Sequence, residues 1–338
     1  MTDAVHLTLD GVQALAFGAL TANGMSPANA IVVADVVTCA ERDGTRSHGL
    51  FRLPGYVSAM RNGRVDGTAV PEVTDVAPGL VLVDSRDGFA PPAVAAGRAP
   101  AMAKARRQGI AALGLTRNNN LNALWWDVEA FATEGFIALA MANTRSFVAP
   151  WGGRKALFGT DPIAFACPRA DALPLVFDFA TSAAARGEIM VAAREGHAIP
   201  EGCALDRDGN PTTDAQAALD GVMLPFGGHK GNAIMIMVEL LAAALTGGNL
   251  CFESSDQFQR FGGDAGPSNA GELIVVIDPA GFHRDFPERI EGLFERILAQ
   301  DGTRLPGDRR YARRARAEED GIQVPASLYQ QILDMKRD

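Results

Sequence analysis

The sequence has few of the residues that build metal sites, disulfides or nucleic-acid surfaces. Its 338 residues include only five histidines and four cysteines. No pair of histidines has metal-ligand spacing, and the cysteines are scattered in apolar stretches without a CxxC pair, which is typical of free thiols in a reducing compartment. The formal net charge is −9, whereas nonspecific nucleic-acid binding needs a positive field. We therefore expect no metal ion and no nucleic-acid partner.

Long hydrophobic runs and an export signal are also missing. The most apolar stretch, residues 233–245, contains Glu239 and is too short to span a bilayer. Residues 1–6 contain no basic region followed by an apolar segment, so no signal peptide is expected. Hydrophobic residues make up 47% of the chain and charged residues 21%, the balance of an ordinary globular protein. We predict a cytoplasmic protein with no membrane partner.

Three familiar nucleotide and hydrolase motifs are absent from the sequence. No GxGxxG follows a predicted strand, which argues against the Rossmann fold, and no GxSxG marks a nucleophile elbow. Residues 227–231 partly resemble a phosphate loop, but the first glycine is missing and Gly231 stands where Ser or Thr binds magnesium. The sequence therefore favours chemistry outside these common classes.

The pattern of apolar residues predicts a mixed α/β protein. A first helix is expected from a cap at Asp10 to about Asn23, and a second from a cap at Ser26, with Pro27 at its first position, to about Arg42. Several predicted strands follow one another without an intervening helix, which favours some antiparallel pairing. The other predicted strands span residues 73–76, 80–83, 110–115, 136–141, 163–167, 175–179 and 273–277, and the other predicted helices span residues 93–108, 124–133, 183–195, 230–245, 287–299 and 325–335.

The polar segment after the second helix contains a candidate acid–base group. If a helix starts at Ser47, His48 and Arg52 are four residues apart and share one face. An imidazole delivers a proton near neutral pH, and a guanidinium holds a carboxylate with two parallel hydrogen bonds. The pair suits a substrate with a carboxylate beside a group that takes up a proton. Taken alone, this spacing is more typical of a surface loop with a capping serine and a solvated arginine.

Polar segments at strand ends and at one helix start are further candidates. Residues 158–162 and 177–182 lie at the ends of predicted strands, where α/β folds collect ligands, although each alone is typical of a turn. Glu188 opens a helix; beside an imidazole it would favour the protonated ring, but a solvated glutamate is the commoner situation. Residues 225–231 lead into a long helix, and Lys230 there suits an anion site or a simple glycine-rich entry loop.

Six arginines are clustered between residues 301 and 316 of this acidic chain. Arginine is well matched to phosphate, so the cluster suits a cofactor phosphate. Residues 305–308, Leu-Pro-Gly-Asp, form a turn before most of the run, which supports that interpretation. The alternative is a solvated helix face with surface ion pairs. The arginines are Arg304, Arg309, Arg310, Arg313, Arg314 and Arg316.

Taken in order, these segments resemble the malate/L-lactate dehydrogenase family of non-Rossmann oxidoreductases. Within that family the sequence is most similar to the Δ1-piperideine-2-carboxylate/Δ1-pyrroline-2-carboxylate reductases, through Leu-Trp-Trp-Asp-Val-Glu at 124–129 and residues 304–310. The motifs cover nearly the whole chain, and their order is more specific than any one of them. They are residues 42–44 with 47–49, 159–162, 178–182, 225–231 and 305–310.

The resemblance implies an α/β, malate/L-lactate dehydrogenase-like non-Rossmann fold with a large, mostly antiparallel sheet flanked by helices. It further implies a homodimer with a discontinuous helical domain for substrate binding and dimerisation, residues 1–70 plus 285–338. Residues 71–284 would form the NAD(P)H-binding sheet domain.

The resemblance also implies roles for individual residues. His48 would be the proton donor, with Ser47 and Glu188 as its relay partners, and Arg52 and Thr160 would bind the substrate. The cofactor would be NADPH, with NADH as the alternative. The residues implied in cofactor binding are Asn120, Leu121, Asn122, Ala123, Leu124, Asp178, Phe179, Ala180, His229, Lys230, Arg304, Leu305, Pro306, Gly307, Asp308, Arg309 and Arg310.

Two departures from the pattern of that branch affect the expected function. Glu188 stands where the relay residue is an aspartate, and Asn118–Asn120 stand where a Ser-His-His type stretch lies beside the cofactor. Amides hydrogen-bond but carry no charge, so the substrate range or the cofactor preference differs if these residues contact either one.

The resemblance leaves three functional hypotheses. The first is NADPH-dependent reduction of a cyclic imino acid to L-proline or L-pipecolate. The second is reduction of a 2-keto acid, or oxidation of a 2-hydroxy acid such as malate, lactate or ureidoglycolate. The third is a noncatalytic ligand-binding paralogue, which the three asparagines keep open.

Overall fold

The computed structural model describes residues 4–260 and 269–336. Its strands are β1 (Ala4–Leu7), β2 (Glu72–Ala77), β3 (Leu80–Asp84), β4 (Ile110–Asn118), β5 (Ile137–Ala142), β6 (Ile163–Cys167), β7 (Leu175–Phe179), β8 (Ala204–Leu205), β9 (Pro211–Thr212), β10 (Val222–Met223), β11 (Ala270–Ile277) and β12 (Ile322–Pro325).

The helices are α1 (Leu9–Ala22), α2 (Pro27–Arg42), α3 (Leu53–Arg61), α4 (Ala90–Gln108), α5 (Trp125–Thr133), α6 (Arg186–Glu195), α7 (Ala215–Asp220), α8 (His229–Val238), α9 (Cys251–Arg260), α10 (Phe286–Leu298), α11 (Asp308–Asp320) and α12 (Ala326–Asp334). A π-helical segment, Glu239–Ala244, continues α8, and 3₁₀ turns occur at Arg46–His48, Leu50–Arg52 and Pro279–Gly281. Within residues 4–260 and 269–336, none of the helices combines the length and apolarity that a membrane span requires.

The described strands form one seven-stranded sheet and two small ones. The order in the large sheet is β2-β3-β4-β11-β5-β6-β7. The tight Pro78-Gly79 turn makes β2 and β3 an antiparallel hairpin, whereas α4 carries the chain over the sheet and makes β4 parallel to β3. The other neighbours in this sheet pair antiparallel. The predicted non-Rossmann α/β fold with a mostly antiparallel sheet is confirmed.

Alternation along the central strand β11 places two cores on opposite faces of the large sheet. Ile274 and Val276 are buried in the core that α4 and α5 cover. Leu273 and Val275 point the other way, into the core formed with Val238 of α8 and the π-helical segment. Because successive side chains of a strand face opposite ways, this one strand anchors both layers.

The two ends of the chain share a separate core. Leu20 of α1 and Val37 of α2 pack in one buried cluster with Tyr56 of α3 and Ile332 of α12. Strand β1 pairs antiparallel with β12, from Ala4 opposite Pro325 to Leu7 opposite Ile322. The proposed division into residues 1–70 plus 285–338 and residues 71–284 stays a prediction.

Several local predictions need correction. The cap of α1 is Thr8, whose hydroxyl accepts a hydrogen bond from the Gly11 N–H at 3.1 Å, and Asp10 lies in the first turn instead. Helix α4 begins at Ala90 rather than at residue 93, and α6 begins at Arg186 rather than at Ala183. The sequence pattern missed β1, β8, β9, β10 and β12, because strands of two to four residues are too short to show alternation.

Candidate active site

A cleft of about 400 Å³ lies between the N-terminal helices and the large sheet. Arg52 and Thr160, predicted to bind the substrate, both line it. Asn120 and Leu121, predicted to bind the cofactor, line it as well. The volume is within the range of about 300–1,000 Å³ that is typical of small-molecule sites. The fold therefore brings residues that are far apart in the sequence to one concave surface.

The segment that holds His48 is not the continuous helix that the spacing predicted. Two 3₁₀ turns are separated by Gly49, and α3 begins only at Leu53. The Glu41 carboxylate accepts a hydrogen bond from the Leu50 N–H at 2.7 Å, and a side chain at Gly49 would clash with that carboxylate. The glycine thus lets the backbone pass Glu41.

His48 is within hydrogen-bond distance of Ser47, and its pKa is affected by the charge of Arg52. Ser47 Oγ and His48 Nδ1 are 3.1 Å apart. Burial and the Arg52 guanidinium lower the pKa of His48 to about 3, so with protein groups alone around it the ring is neutral at pH 7. With the Ser47 hydroxyl donating to Nδ1, the ring proton is on Nε2.

Glu188 does not hold a charge on His48. Its side chain is exposed, and its carboxylate instead contributes to raising the pKa of Cys203. The helix that carries it does approach the pair, because a side chain at Gly187 would lie 3.1 Å from Cβ of Ser47. The expectation that Glu188 keeps His48 protonated is therefore wrong for this arrangement, and its relay role stays a prediction.

Arg52 reaches the cleft with hydrogen-bonding capacity to spare. Its Nε is buried and has no hydrogen-bond partner among the described residues, and burial lowers the pKa of its guanidinium. An anion in the cleft would supply the missing acceptor. Arg52 thus has the properties that a carboxylate clamp needs.

A buried hydrogen-bond network, which the sequence analysis missed, stabilises the segment that carries Thr160. The Cys251 thiol donates to Asp161 Oδ1 at 3.2 Å, and the Gly159 N–H donates to Cys251 Sγ at 3.0 Å. The Cys251 N–H donates to Glu239 Oε2 at 3.0 Å. Burial and neighbouring carboxylates raise the pKa of both Asp161 and Cys251.

The atoms of Asp161, Glu239 and Cys251 lie close enough to hold a metal ion. Their hydrogen bonds to one another and to the backbone give them a structural role, which is to fix the Gly159–Thr160 turn. The prediction that the protein needs no metal stays a prediction.

The three asparagines lead into a buried polar cluster. Asn120 Nδ2 donates to Glu272 Oε2 at 3.1 Å, and Asn122 Nδ2 donates to Asp127 Oδ2 at 2.9 Å. Burial raises the pKa of Glu272, and it raises that of Asp127 to about 8. The side chains of Ala123 and Leu124, predicted to contact the cofactor, are in the hydrophobic core, so only their backbone groups are available to a ligand.

Asp178 and Arg310 meet at Trp125. The Trp125 N–H donates to Asp178 Oδ2 at 3.0 Å, and the Arg310 guanidinium lies 4.8 Å from the centre of the Trp125 ring. Arg310 Nη1 is buried and has no hydrogen-bond partner in the described part of the chain. A buried guanidinium on an aromatic face with a free donor fits a phosphate or ribose group of a dinucleotide.

The glycine-rich loop lies beside the end of β7. Phe179 packs edge-to-face on Phe226, with ring centres 5.9 Å apart. Beyond the loop, α8 begins with His229 and Lys230, both exposed, and a side chain at Gly231 would clash with the Phe226 carbonyl. A lysine at an accessible helix start suits an anion, as the sequence predicted.

The arginine cluster divides into two kinds of residue. Arg314 pairs with Asp43 at 2.7 Å and with Glu129 at 2.9 Å, so this arginine holds α11 against α2 and α5. Leu305 is buried and donates its N–H to Asp308 Oδ2 at 2.7 Å, which forms the predicted turn before α11. Arg304 and Arg309 are exposed. The ion-pair interpretation therefore applies to Arg314, whereas the cofactor-phosphate interpretation of the other arginines stays a prediction.

Three further arginines line the cleft and were not predicted. Arg64, Arg145 and Arg186 come from three separate segments of the chain. Because no motif or spacing joins them, nothing in the sequence pattern marks them as neighbours.

Comparisons with known proteins agree with this architecture. A family model described as malate/L-lactate dehydrogenase matches residues 7–333. A Δ1-pyrroline-2-carboxylate/Δ1-piperideine-2-carboxylate reductase of Pseudomonas putida is 47% identical over 98% of this chain and 97% of its own length. A (2R)-3-sulfolactate dehydrogenase (NADP+) of Chromohalobacter salexigens is 43% identical over 96% of both chains. The crystal structure of the Δ1-piperideine-2-carboxylate reductase from Pseudomonas syringae pv. tomato is 45% identical, with a TM-score of 0.93 over 98% of this chain and 99% of that one.

Proposed function

Because this chain belongs to the malate/L-lactate dehydrogenase family, as its motifs predicted, we propose that it is an oxidoreductase that reduces the C=N bond of a cyclic 2-imino carboxylate. The substrates are Δ1-pyrroline-2-carboxylate and Δ1-piperideine-2-carboxylate, and the products are L-proline and L-pipecolate. The observation that carries the proposal is the hydrogen-bonded Ser47–His48 pair, whose ring is affected by the charge of Arg52, together with the cleft that Arg52 and Thr160 line. The reductases named above support the substrate class.

Arg52 binds the substrate carboxylate. A guanidinium offers two parallel N–H donors to a carboxylate, and Arg52 Nε has no competing acceptor among the described residues. Thr160 closes the opposite side of the substrate, on a turn that the buried Asp161–Cys251 network holds in place. The imine nitrogen then faces the Ser47–His48 pair.

Substrate binding makes His48 a better proton donor. The positive charge of Arg52 is one of the two causes that lower the pKa of His48, and a bound carboxylate offsets that charge. The pKa of the ring rises, the ring takes up a proton, and Nε2–H donates it to the imine nitrogen. NADPH, when bound, supplies the hydride to the imine carbon. Glu188 would need a side-chain rearrangement to reach the ring.

The cofactor site extends from the cleft across the end of β7 to α11. The residues that hold NADPH are the backbone and amides of residues 120–124, residues 178–180, His229 with Lys230, and residues 304–310. Arg310, with its free Nη1 on the Trp125 ring, is the best-formed phosphate contact of the set. We also propose that the protein is a cytoplasmic homodimer and that each chain has two domains, residues 1–70 plus 285–338 and residues 71–284.

A substrate panel tests the reaction. Loss of NADPH or NADH absorbance is measured with Δ1-pyrroline-2-carboxylate, Δ1-piperideine-2-carboxylate and pyruvate. We expect both imino acids to be reduced faster than pyruvate, with NADPH preferred. His48→Ala should lower kcat roughly 10²–10⁴-fold, the usual scale for a general acid. Near-normal turnover in that variant would remove His48 from the mechanism.

Arg310→Gln tests the cofactor site. We expect the KM for the cofactor to rise about 10- to 100-fold, because one charged hydrogen-bond donor is lost, while kcat changes little. The matched control is Arg316→Gln, which removes an exposed arginine from the same helix. Equal effects of the two variants would mean that Arg310 does not hold the cofactor.

A second activity shares the same residues. Protonating a ketone oxygen needs the same acid as protonating an imine nitrogen, and the sulfolactate dehydrogenase is almost as similar to this chain as the reductases are. Faster turnover of pyruvate than of either imino acid would favour 2-keto acid reduction. Failure to bind NADPH and NADH by calorimetry would favour a noncatalytic protein.

A further inference from the structure

The cleft is lined by more positive charge than one carboxylate requires. Arg52, Arg64, Arg145 and Arg186 all line it. Within residues 4–260 and 269–336, none of the four forms an ion pair with a carboxylate. Arg52 is assigned to the 2-carboxylate of the substrate. The other three, here named the arginine trio, have no part in the mechanism described above.

Aromatic rings hold the arginine trio in place. The Arg145 guanidinium lies 3.8 Å from the centre of the Phe258 ring, and that of Arg186 lies 4.0 Å from the centre of the Phe147 ring. Arg64 lies 5.9 Å from the Phe258 ring. Stacking orients a guanidinium plane through its face and leaves the N–H donors along its edge available. The rings thus orient the trio without using its donors.

The arginine trio is also electrostatically crowded. Burial, Arg64 and Arg186 together lower the pKa of Arg145 to about 10. Arg64 Nε is buried without a partner in the described part of the chain, and Arg64 Nη2 makes only a 3.4 Å contact to Ser58 Oγ. Like charges held together in a half-buried place repel one another, and an anion between them removes that repulsion. Such an arrangement is typical of an anion site.

We propose that the arginine trio is a second anion subsite, so that the preferred substrate is a cyclic imino acid with a second acidic group. This inference rests on the proposed function. Arg52 binds the carboxylate next to the C=N bond, and the trio binds an acidic substituent elsewhere on the ring. The trio stacks on Phe147 and Phe258, whereas Arg52 stacks on neither ring, so the charges of the cleft form two groups, one for each acidic group.

A phosphate of the dinucleotide is the other source of the same chemistry. The trio lines the cleft with Arg52 and Thr160, whereas the residues that fit the cofactor phosphates, Arg310 and Lys230, do not line it. The geometry therefore favours the substrate as the source. The experiment must distinguish the two sources by measuring both substrate and cofactor parameters.

The test compares two substrates that differ by one carboxylate, Δ1-piperideine-2-carboxylate and Δ1-piperideine-2,6-dicarboxylate. The measured quantity is the ratio of kcat/KM for the dicarboxylate to kcat/KM for the monocarboxylate, with saturating NADPH. We expect a ratio above about 10 for the wild type, and a fall of about 10- to 100-fold in Arg145→Gln and in Arg186→Gln. Arg145→Lys keeps the charge and should recover part of the ratio.

The matched control is Arg106→Gln. Arg106 also stacks on an aromatic ring, 4.8 Å from the centre of Phe136, but it does not line the cleft, so its loss should leave the ratio unchanged. Two results would overturn the proposal. One is a wild-type ratio near one that Arg145→Gln leaves unchanged. The other is an unchanged ratio together with a raised KM for NADPH in the trio variants, which would assign the trio to the cofactor.

Direct binding keeps this inference separate from the proposed reaction. Calorimetry of the enzyme with its oxidised cofactor is performed with pyridine-2-carboxylate and pyridine-2,6-dicarboxylate, neither of which needs to react. Tighter binding of the dicarboxylate that is lost in Arg145→Gln supports the subsite even if neither imino acid is reduced. Equal binding of the two compounds in the wild type would refute the subsite even if the reductase activity is present.

Discussion

Replacing His48 with Gln should make the free energy of unfolding less sensitive to acid. Burial and Arg52 lower the pKa of this ring to about 3 in the folded chain, whereas an unfolded histidine titrates near 6.5. Above about pH 6.5 neither state binds the proton, so the histidine has no effect on stability. As the pH falls from about 6.5 towards 3, only the unfolded state gains the proton, and the wild type loses stability.

The magnitude follows from proton linkage. One such group changes the free energy of unfolding by at most about 1.4 kcal/mol per pH unit, so the difference between wild type and variant grows to roughly 3 kcal/mol between pH 7 and pH 4. Other titrating groups affect both proteins equally and cancel in the comparison.

The assay is urea denaturation of wild type and His48→Gln at intervals from pH 7 to pH 4. We expect the two curves of unfolding free energy against pH to diverge as the pH falls, with the wild type falling more steeply. His197→Gln controls for loss of an exposed histidine. Parallel curves for wild type and His48→Gln would show that the ring has the same pKa in the folded and unfolded chain, and the proposed coupling to Arg52 would be wrong.

Three further predictions follow from the site. A planar carboxylate such as pyrrole-2-carboxylate should bind to the wild type with proton uptake at pH 7, so that the binding enthalpy measured by calorimetry depends on the buffer. Arg52→Gln should abolish this dependence. A binding enthalpy that is independent of the buffer in the wild type would contradict the proposed coupling between Arg52 and His48. Gly49→Ala should lower the melting temperature by several degrees and kcat at least about 10-fold, because the new methyl group clashes with Glu41 and moves His48; unchanged kinetics would mean that the turn tolerates the shift. The native protein should react slowly with a thiol reagent and rapidly after unfolding, because burial raises the pKa of Cys39, Cys167, Cys203 and Cys251. Rapid labelling before unfolding would refute this.

Local sequence signals predicted many of the long elements, although α3, α9 and α11 were not among the predicted helices. The Ser26–Pro27 start of α2 was predictable because a serine cap and a proline at the first helical position act within a few residues. The strands of the large sheet were predictable because β-branched and apolar runs of five or more residues are bounded by turns. The antiparallel character followed from strands that succeed one another without a helix between them.

What the sequence did not reveal depends on contacts between distant segments. The break at Gly49 depends on the Glu41 carboxylate, which reaches it from the preceding helix. The position of the Glu188 carboxylate depends on how α6 packs, which neither the resemblance nor a local sequence pattern specifies. The tertiary fold brings the arginine trio together, and no local sequence pattern predicts that these three residues are neighbours.

The ion pairs of Arg314 determine when, during synthesis of the chain, the active site can form. Arg314, near the end of the chain, holds Asp43, which lies four residues before Ser47, and Arg313 donates to the Gly44 carbonyl in the same turn. Asp43 is buried and pairs with Arg42 as well, so without Arg314 it loses one of the two cations that balance its charge. A nascent chain can therefore form most of its sheet while the segment that leads to Ser47 and His48 still lacks its contacts with Arg313 and Arg314. Activity should begin only once α11 has left the ribosome.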